Sequence, residues 1–192
     1  MENERKTDRS ADMGMDEHRL SDILLASQIK ATDIYETPPQ IIWIDNSTIA
    51  TLGNFSASTG KAKSKKTFNV SALVAASLAG KQVLNYRAHL PEGKHRILYV
   101  DTEQSRFHCH TVLGRILRLA GLPTTTDSEN LDFICLREYS PSVRIGVIDY
   151  ALRQRRDYGL VIIDGIRDLM FDINNTSESM EVINKMMEWS SK

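Results

Sequence analysis

The sequence predicts an α/β fold, a three-layer αβα arrangement in which a parallel sheet lies between helices. Two segments, Arg96–Asp101 and Gly159–Asp164, read as strands that are apolar on both faces, which is typical of a sheet covered on both sides. Helical patterns of about 10–15 residues separate the strands, as crossovers between parallel strands require. In such sheets the ligand crevice lies beyond the carboxyl ends of the strands. The residues that follow each strand are therefore the candidate functional residues.

The chain divides into a polar tail with a short lead-in helix over residues 1–39 and a folded core over residues 40–192. Residues 1 to about 17 are charged and free of aromatic side chains, which predicts disorder. A helix is expected from about 16 to 30, and two consecutive prolines mark its end. The apolar periodicity behind this helix is carried by Leu20, Ile23 and Leu24.

The core alternates between short β-branched or aromatic runs and longer periodic stretches. The predicted strands are Gln40–Ile44, Thr48–Phe55, Arg96–Asp101, Leu131–Leu136 and Gly159–Asp164. The predicted helices are Lys66–Leu78, His108–Ala120, Ser142–Arg156 and Ser177–Trp189. Glycine or proline follows several of the periodic stretches, as expected at helix ends.

The composition excludes several classes of protein. The 192 residues carry a formal net charge of −1 and are 41% hydrophobic, so no general basic coat exists and a core of ordinary size is possible. No run approaches the roughly 18 apolar residues of a membrane span, and the charged N-terminus lacks the apolar segment of a secretory signal. The two cysteines, Cys109 and Cys135, are too few for a disulfide framework. We expect a cytoplasmic protein with no membrane partner.

A lysine-rich loop lies between the second predicted strand and the first core helix. Its residues are Gly60, Lys61, Ala62, Lys63, Ser64, Lys65, Lys66 and Thr67. The phosphate-binding pattern G-x-x-x-x-G-K-[ST] matches at Gly60, Lys66 and Thr67, whereas Lys65 stands at the second glycine. Backbone N–H groups and a helix N-terminus form an anion nest there, Lys66 supplies charge to the phosphates and Thr67 a hydroxyl to Mg²⁺. The alternative is a lysine-rich surface loop with no ligand.

Carboxylates follow two of the apolar strands. Glu103 comes just after Arg96–Asp101, where it can accept a proton from a water molecule that attacks a phosphate. Its other interpretation is an acid that favours the dipole of the next helix. Asp164 ends the run Gly-Leu-Val-Ile-Ile, as does the Walker B acid that binds Mg²⁺. An aspartate after an apolar strand is common, so the argument rests on the three signals occurring together and in this order.

These segments, GKAKSKKT, YVDTEQS and LVIIDGIRDL, resemble the nucleotide-binding core of RecA-type P-loop ATPases, in particular the RepA-like helicase branch of the AAA ATPases of plasmids and mobile elements. The resemblance covers about Trp43 to the chain end. It implies ATP as substrate, Mg²⁺ as cofactor, Glu103 as catalytic base and Asp164 as Walker B aspartate. It also implies a homo-oligomer, a hexamer-like ring or a filament, and a role in replication, mobilisation or recombination of DNA.

The resemblance further implies elements that the chain lacks after its last predicted helix, namely a strand with a sensor residue and a region that supplies an arginine finger. We therefore expect a RecA-like core that is truncated at its C-terminus. DNA follows from the resemblance alone, because the loop after Asp164 is polar and acidic. The alternative function is a non-catalytic, nucleotide-responsive DNA-binding or assembly module. A third interpretation is a basic loop that contacts nucleic acid without a nucleotide site.

Two other groups of residues have simpler interpretations. His108, Cys109 and His110 are neighbours on a predicted helix, where adjacent positions do not share a face, so we do not expect a metal site. Arg167 and Asp168 follow the Asp164 strand and are either switch residues or a surface ion pair, of which we favour the pair.

Overall fold

A computed structural model describes residues 16–61 and 64–191. The chain divides into two compact units, the first ending at Thr37 and the second beginning at Pro38, and each is described by itself. Nearly all of the segment predicted to be disordered lies outside the described residues, as do Ala62 and Lys63 of the predicted phosphate loop.

The first unit contains one helix, α1, over Glu17–Ala26. Its N-terminus is capped by Asp16, whose carboxylate accepts a hydrogen bond from the His18 N–H at 3.2 Å. The helix ends four residues earlier than the predicted Lys30. None of its residues is buried, so local hydrogen bonds and capping, rather than packing, stabilise it within the described chain.

The second unit contains six strands and four α-helices within the described residues. The strands are β1 Gln40–Ile44, β2 Ser47–Thr51, β3 Tyr86–Ala88, β4 Arg96–Asp101, β5 Leu131–Cys135 and β6 Tyr158–Asp164. The helices are α2 Lys66–Ala79, α3 Arg106–Ala120, α4 Pro141–Gln154 and α5 Thr176–Ser190, with a short 3-10 helix at Ile166–Leu169. Most predicted boundaries are correct to within two residues.

The parallel sheet has the strand order β5-β4-β6 and confirms the predicted α/β class. Side chains of β4 alternate between two hydrophobic clusters on opposite faces of this sheet. Ile97 and Tyr99 pack with buried residues of α2 and α3, whereas Leu98 and Val100 pack with those of α4 and α5. Helices therefore cover both faces, as the apolar strand patterns predict.

A second sheet was not predicted. Its order is β2-β1-β3, and both pairings are antiparallel. The predicted strand Thr48–Phe55 is therefore wrong in extent and in partner, since β2 ends at Thr51. The Leu52 N–H bonds to the Pro39 carbonyl at 2.8 Å and the chain turns there, so no strand leads directly into Gly60.

Strand order and register place Asp101 and Asp164 side by side at the carboxyl edge of the parallel sheet. In the β4–β6 pairing Asp101 lies opposite Asp164, and in the β4–β5 pairing it lies opposite Cys135. The loops that follow these strands consequently emerge side by side. Within the described ranges, every helix falls short of the length and apolar character that a bilayer span needs.

Candidate functional site

The loop before α2 is strained at one residue. Lys65 caps the N-terminus of α2 with φ 61° and ψ 27°, a left-handed conformation. This conformation costs a residue with a side chain roughly 1–2 kcal/mol relative to its ordinary regions, and glycine avoids that cost. The pattern's second glycine thus coincides with a backbone geometry that glycine suits, and Lys65 adopts it under strain.

The Lys66 ammonium lies inside the loop. It donates to the Gly60 carbonyl at 2.8 Å and also lies 3.4 Å from the Lys61 carbonyl. Thr67 is half-buried in the first turn of α2, and the N–H groups of Phe68 and Asn69 already bond to the Lys65 carbonyl at 3.1 Å. The positive charge and the start of the helix are therefore adjacent, as an anion site requires.

A buried aspartate shapes the loop that carries Glu103. Asp101 is fully buried, and one of its carboxylate oxygens accepts from the N–H groups of Glu103 and Gln104 at 3.0 and 2.7 Å. Its other oxygen accepts from the Gln104 side-chain amide at 2.9 Å. Sequence reasoning did not separate the role of Asp101 from that of Glu103. The structure shows that Asp101 forms the loop while Glu103 remains exposed.

Asp164 has a partner on the neighbouring strand. The Tyr99 hydroxyl donates to one Asp164 carboxylate oxygen at 3.0 Å, and the Tyr99 ring stacks on Phe133 with centroids 4.4 Å apart. Burial, and then the Asp164 carboxylate, raise the pKa of Tyr99 far above its ordinary value, so its proton stays on the hydroxyl. Within the described chain no side chain donates to the second Asp164 oxygen.

The turn after Asp164 is bonded tightly to the Glu103 loop. The buried Thr102 hydroxyl lies within hydrogen-bond distance of the Gly165 carbonyl at 2.8 Å and the Asp168 carboxylate at 3.0 Å. The predicted Arg167–Asp168 ion pair is wrong, since no such pair occurs within residues 16–61 and 64–191. The short 3-10 helix carries the Asp168 side chain towards Thr102, where it bonds to a buried hydroxyl.

Arg144 of α4 holds the same turn from the other side. Its guanidinium donates to the main-chain carbonyls of Leu136, at 3.0 Å, and Arg137, at 2.8 Å, and also to that of Asp168. One side chain thereby connects the end of β5 to the turn after β6. No sequence pattern points to Arg144, because its partners are backbone atoms of distant segments.

Glu103 lies between three carboxylates and one cation. Partial burial, then Asp168, Asp164 and Asp101, raise the pKa of Glu103 above its usual range, while the Lys66 ammonium opposes them. Lys66 and Asp164 therefore each act electrostatically on Glu103. A carboxylate with a raised pKa is a stronger base, which suits proton abstraction from water.

The two cysteines belong to the interior beneath this site. The thiols of Cys109 and Cys135 both lie near the Gln104 carbonyl, at 3.7 and 3.4 Å. Burial, and then the neighbouring Cys135, raise the pKa of Cys109 to about 12, so it is a thiol rather than a metal-binding thiolate. No cluster of three or more His, Cys, Asp or Glu side chains in the described part of the chain has the geometry of a metal site.

Comparison with known proteins gives one match. A family model described as an AAA domain matches residues 20–191. The matched range includes the loop before α2, the Glu103 loop and the end of β6, and also part of α1. Neither the comparison with curated proteins nor that with solved structures found a match.

Proposed function

Because the chain belongs to the AAA domain family of nucleotide-binding ATPases, we propose that it binds Mg²⁺·ATP at residues 60–67 and hydrolyses ATP with Glu103 as general base. The supporting observation is the approach of three groups from different segments. Lys66, from the loop before α2, acts electrostatically on Glu103, which Asp164 also approaches from the end of β6. Phosphoryl transfer needs a cation at the phosphates and a group that orients water, and these residues supply both.

In this proposal the phosphates of ATP bind in the loop beside the Lys66 ammonium, which in the structure donates to the Gly60 carbonyl. The ammonium turns from that carbonyl to the phosphate oxygens, with which charge-assisted hydrogen bonds are stronger. The backbone N–H groups of residues 60–67 contribute further donors, and Lys61 and Lys63 add positive charge.

The residues also suit a magnesium ion. Mg²⁺ keeps several waters and is bound in proteins through one or two carboxylates together with substrate phosphates. Tyr99 engages one oxygen of Asp164 and no described donor engages the other, so a single carboxylate oxygen is available. Asp164 and the Thr67 hydroxyl would hold the ion, which when bound neutralises charge on the phosphates.

Glu103 then orients the attacking water and accepts its proton. The Asp101 carboxylate holds the backbone of the Glu103 loop, so the side chain starts from a defined position. The neighbouring carboxylates favour the protonated form of Glu103 and thus increase its basicity. Electrostatic stabilisation and positioning, rather than covalent chemistry, supply the rate enhancement.

We also propose that the ATPase serves replication, mobilisation or recombination of plasmid or mobile-element DNA, as an oligomer. The support for this part is the resemblance of the three segments to RepA-like helicases. The alternative is a non-catalytic module in which Lys65 disables turnover, and the strained backbone at Lys65 is the observation that favours it.

The two candidates are separated by replacing the base. Glu103→Gln is expected to lower kcat by about 10²- to 10⁴-fold while leaving the Kd for ATP unchanged, because only proton transfer is removed. Glu129→Gln, an exposed residue distant in sequence, is the matched control and should change neither. A wild-type chain that binds ATP without hydrolysing it, with no effect of Glu103→Gln, establishes the non-catalytic module.

Binding itself is tested by calorimetry with Mg²⁺·ATP. Lys66→Ala is expected to weaken binding at least about tenfold, since it removes hydrogen bonds from a charged donor. Lys81→Ala, beyond the other end of α2, is the control and should bind like the wild type. Equal binding by wild type and Lys66→Ala contradicts the phosphate site.

A further inference from the structure

The near-zero net charge conceals a strong separation of charge along the chain. Residues 46–91 and 104–126 contain nine of the 24 Lys and Arg residues and none of the 25 Asp and Glu residues. The rest of the chain therefore carries 15 cations against 25 carboxylates. The two acid-free stretches contain α2 and α3, which belong to the same hydrophobic cluster on one face of the parallel sheet.

Two side-chain approaches join α3 to the start of α2 and to Lys81, which follows α2. The Arg115 guanidinium is 6.0 Å from the centre of the Phe68 ring, which joins the middle of α3 to the start of α2. At the other end, a Cβ added to Gly121 would lie 3.7 Å from the Lys81 ammonium. We call this surface the α2–α3 face and define it by Phe68, Lys81, Phe107, Arg115 and Arg118.

The side chains of the α2–α3 face are available to a ligand. Lys81 and Arg118 are exposed, and within residues 16–61 and 64–191 neither of them forms an ion pair. The rings are exposed as well, Phe107 to 76% and Phe68 to 40%. Unpaired cations that surround exposed aromatic rings repel one another, and an anionic partner relieves this repulsion.

We propose that the α2–α3 face binds single-stranded nucleic acid, with its cations on phosphates and its phenylalanine rings against bases. Lys and Arg neutralise phosphates with release of counterions, and aromatic rings stack on bases of any sequence. The proposal rests on the nucleic-acid part of the proposed function and is independent of its ATPase chemistry. It assigns this contact to helices beside the phosphate loop rather than to the acidic loop after Asp164.

A nucleic acid suits this face better than an acidic protein does. Single-stranded nucleic acid carries phosphates and unpaired bases along one chain, so it supplies partners for the cations and for the rings alike. Here the Arg115 guanidinium lies over the Phe68 ring, and the Phe107 ring is exposed on α3. In the opposite helical layer, by contrast, the cation of α5 is paired: the Lys185 ammonium lies 3.1 Å from the Asp149 carboxylate and 2.9 Å from that of Glu188.

The test is the anisotropy of a labelled oligothymidylate titrated with the protein in the absence of nucleotide. The variant Lys81→Glu/Arg118→Glu is compared with Arg153→Glu/Arg156→Glu, which changes net charge equally at the end of α4. We expect the first pair to weaken binding at least about tenfold. The magnitude of the slope of log K against log[salt] should fall by about 1.4, because each of two lost phosphate contacts removes about 0.7. The control pair should retain most of the affinity.

A second variant tests base stacking apart from charge. Phe107→Ala is expected to weaken oligothymidylate binding about fivefold or more, because stacking on one ring is removed, and to leave heparin binding unchanged. Circular dichroism verifies the fold of every variant. If the charge-reversed pair does not fold, Lys81→Gln/Arg118→Gln replaces it.

Several results overturn the proposal. Equal weakening by both charge-reversed pairs means that only net charge matters, and weakening by the control pair alone leaves the DNA role intact but excludes this face. Unchanged oligothymidylate binding by Phe107→Ala excludes stacking. If the wild type binds no single strand and sedimentation shows that Lys81→Glu/Arg118→Glu dissociates an oligomer, the face contacts a second copy instead. ATP hydrolysis is measured alongside, so failure of the ATPase proposal is recognised separately.

Discussion

The two halves of the candidate site differ in how firmly they are held. The acidic half, at the ends of β4 and β6, is fixed by hydrogen bonds to the Asp101 carboxylate and from the Thr102 and Tyr99 hydroxyls. The phosphate loop has no comparable network among its described residues, and its lysine bonds to the loop's own Gly60 carbonyl. The difference follows from position, because the acidic half emerges from a parallel sheet whereas the loop follows a segment that pairs with no strand.

This difference teaches that the acidic half is preorganised for chemistry, whereas the phosphate loop must rearrange when a ligand binds. Preorganised groups need no reorganisation when the reaction occurs. A loop that must break its own hydrogen bonds loses part of its binding energy. Changes in the acidic half should therefore act on turnover and stability, and changes in the loop should act on affinity.

The largest expected effect is a loss of stability when the packing of the acidic half is disrupted. Gly165 has φ 104°, and a Cβ there would lie 2.2 Å from the Thr102 hydroxyl and 2.8 Å from Glu103 Cγ. Gly165→Ala should lower the free energy of unfolding by roughly 2 kcal/mol or more, because it combines backbone strain with a collision at a buried side chain. Urea denaturation measures this.

The matched control is Gly146→Ala in α4, where an added Cβ meets no atom within 4 Å. Alanine is favoured over glycine inside a helix by up to about 1 kcal/mol, so this variant should be more stable than the wild type. Equal destabilisation by both variants would contradict the close approach of Gly165 to Thr102.

A smaller effect is expected on the pH dependence of kcat, which tests the electrostatics of the acidic half. Glu103 must be deprotonated to act as a base, so kcat should fall as the pH drops through its raised pKa. Asp168→Asn removes the largest of the charges that raise this pKa while retaining an acceptor for Thr102. The acid limb of the pH profile of kcat should therefore move to lower pH, and the plateau rate should fall, because Glu103 becomes a weaker base.

Asp172→Asn is the control for that profile, since the Asp172 carboxylate accepts from the Asn174 N–H and is not among the charges that act on Glu103. An acid limb that stays in place with Asp168→Asn, or that moves equally with both variants, contradicts the role given to Asp168.

The smallest effect concerns the loop. Lys65→Gly removes the backbone strain of a left-handed residue with a side chain. The greater freedom of glycine in the unfolded chain offsets part of this effect, so we expect the free energy of unfolding to rise by up to about 1 kcal/mol. If the strain also opposes phosphate binding, affinity for Mg²⁺·ATP rises by up to about fivefold. Leu84→Gly, with φ 52° and an exposed side chain, should gain similar stability without a change in affinity. Tighter binding by both variants contradicts a local effect.

Much of the site could be predicted because strands end where their sequence stops being apolar. Glu103 follows β4 and Asp164 ends β6 as that rule predicts, and parallel pairing places Asp164 opposite Asp101, two residues before Glu103. The contributions of Asp168 and Arg144 could not be predicted, since Asp168 acts through a turn whose direction depends on Gly165, and Arg144 bonds only to carbonyls.

By itself, the sequence determined the α/β class, the core helices, the three strands of the parallel sheet and the strand ends that carry the carboxylates, because hydrophobic periodicity depends on neighbours along the chain. Only the tertiary structure decided that β2 ends at Thr51 and joins an antiparallel sheet, and that Arg115 of α3 lies against Phe68 of α2. Each of these depends on contacts between residues far apart in sequence, for which a local pattern contains no signal.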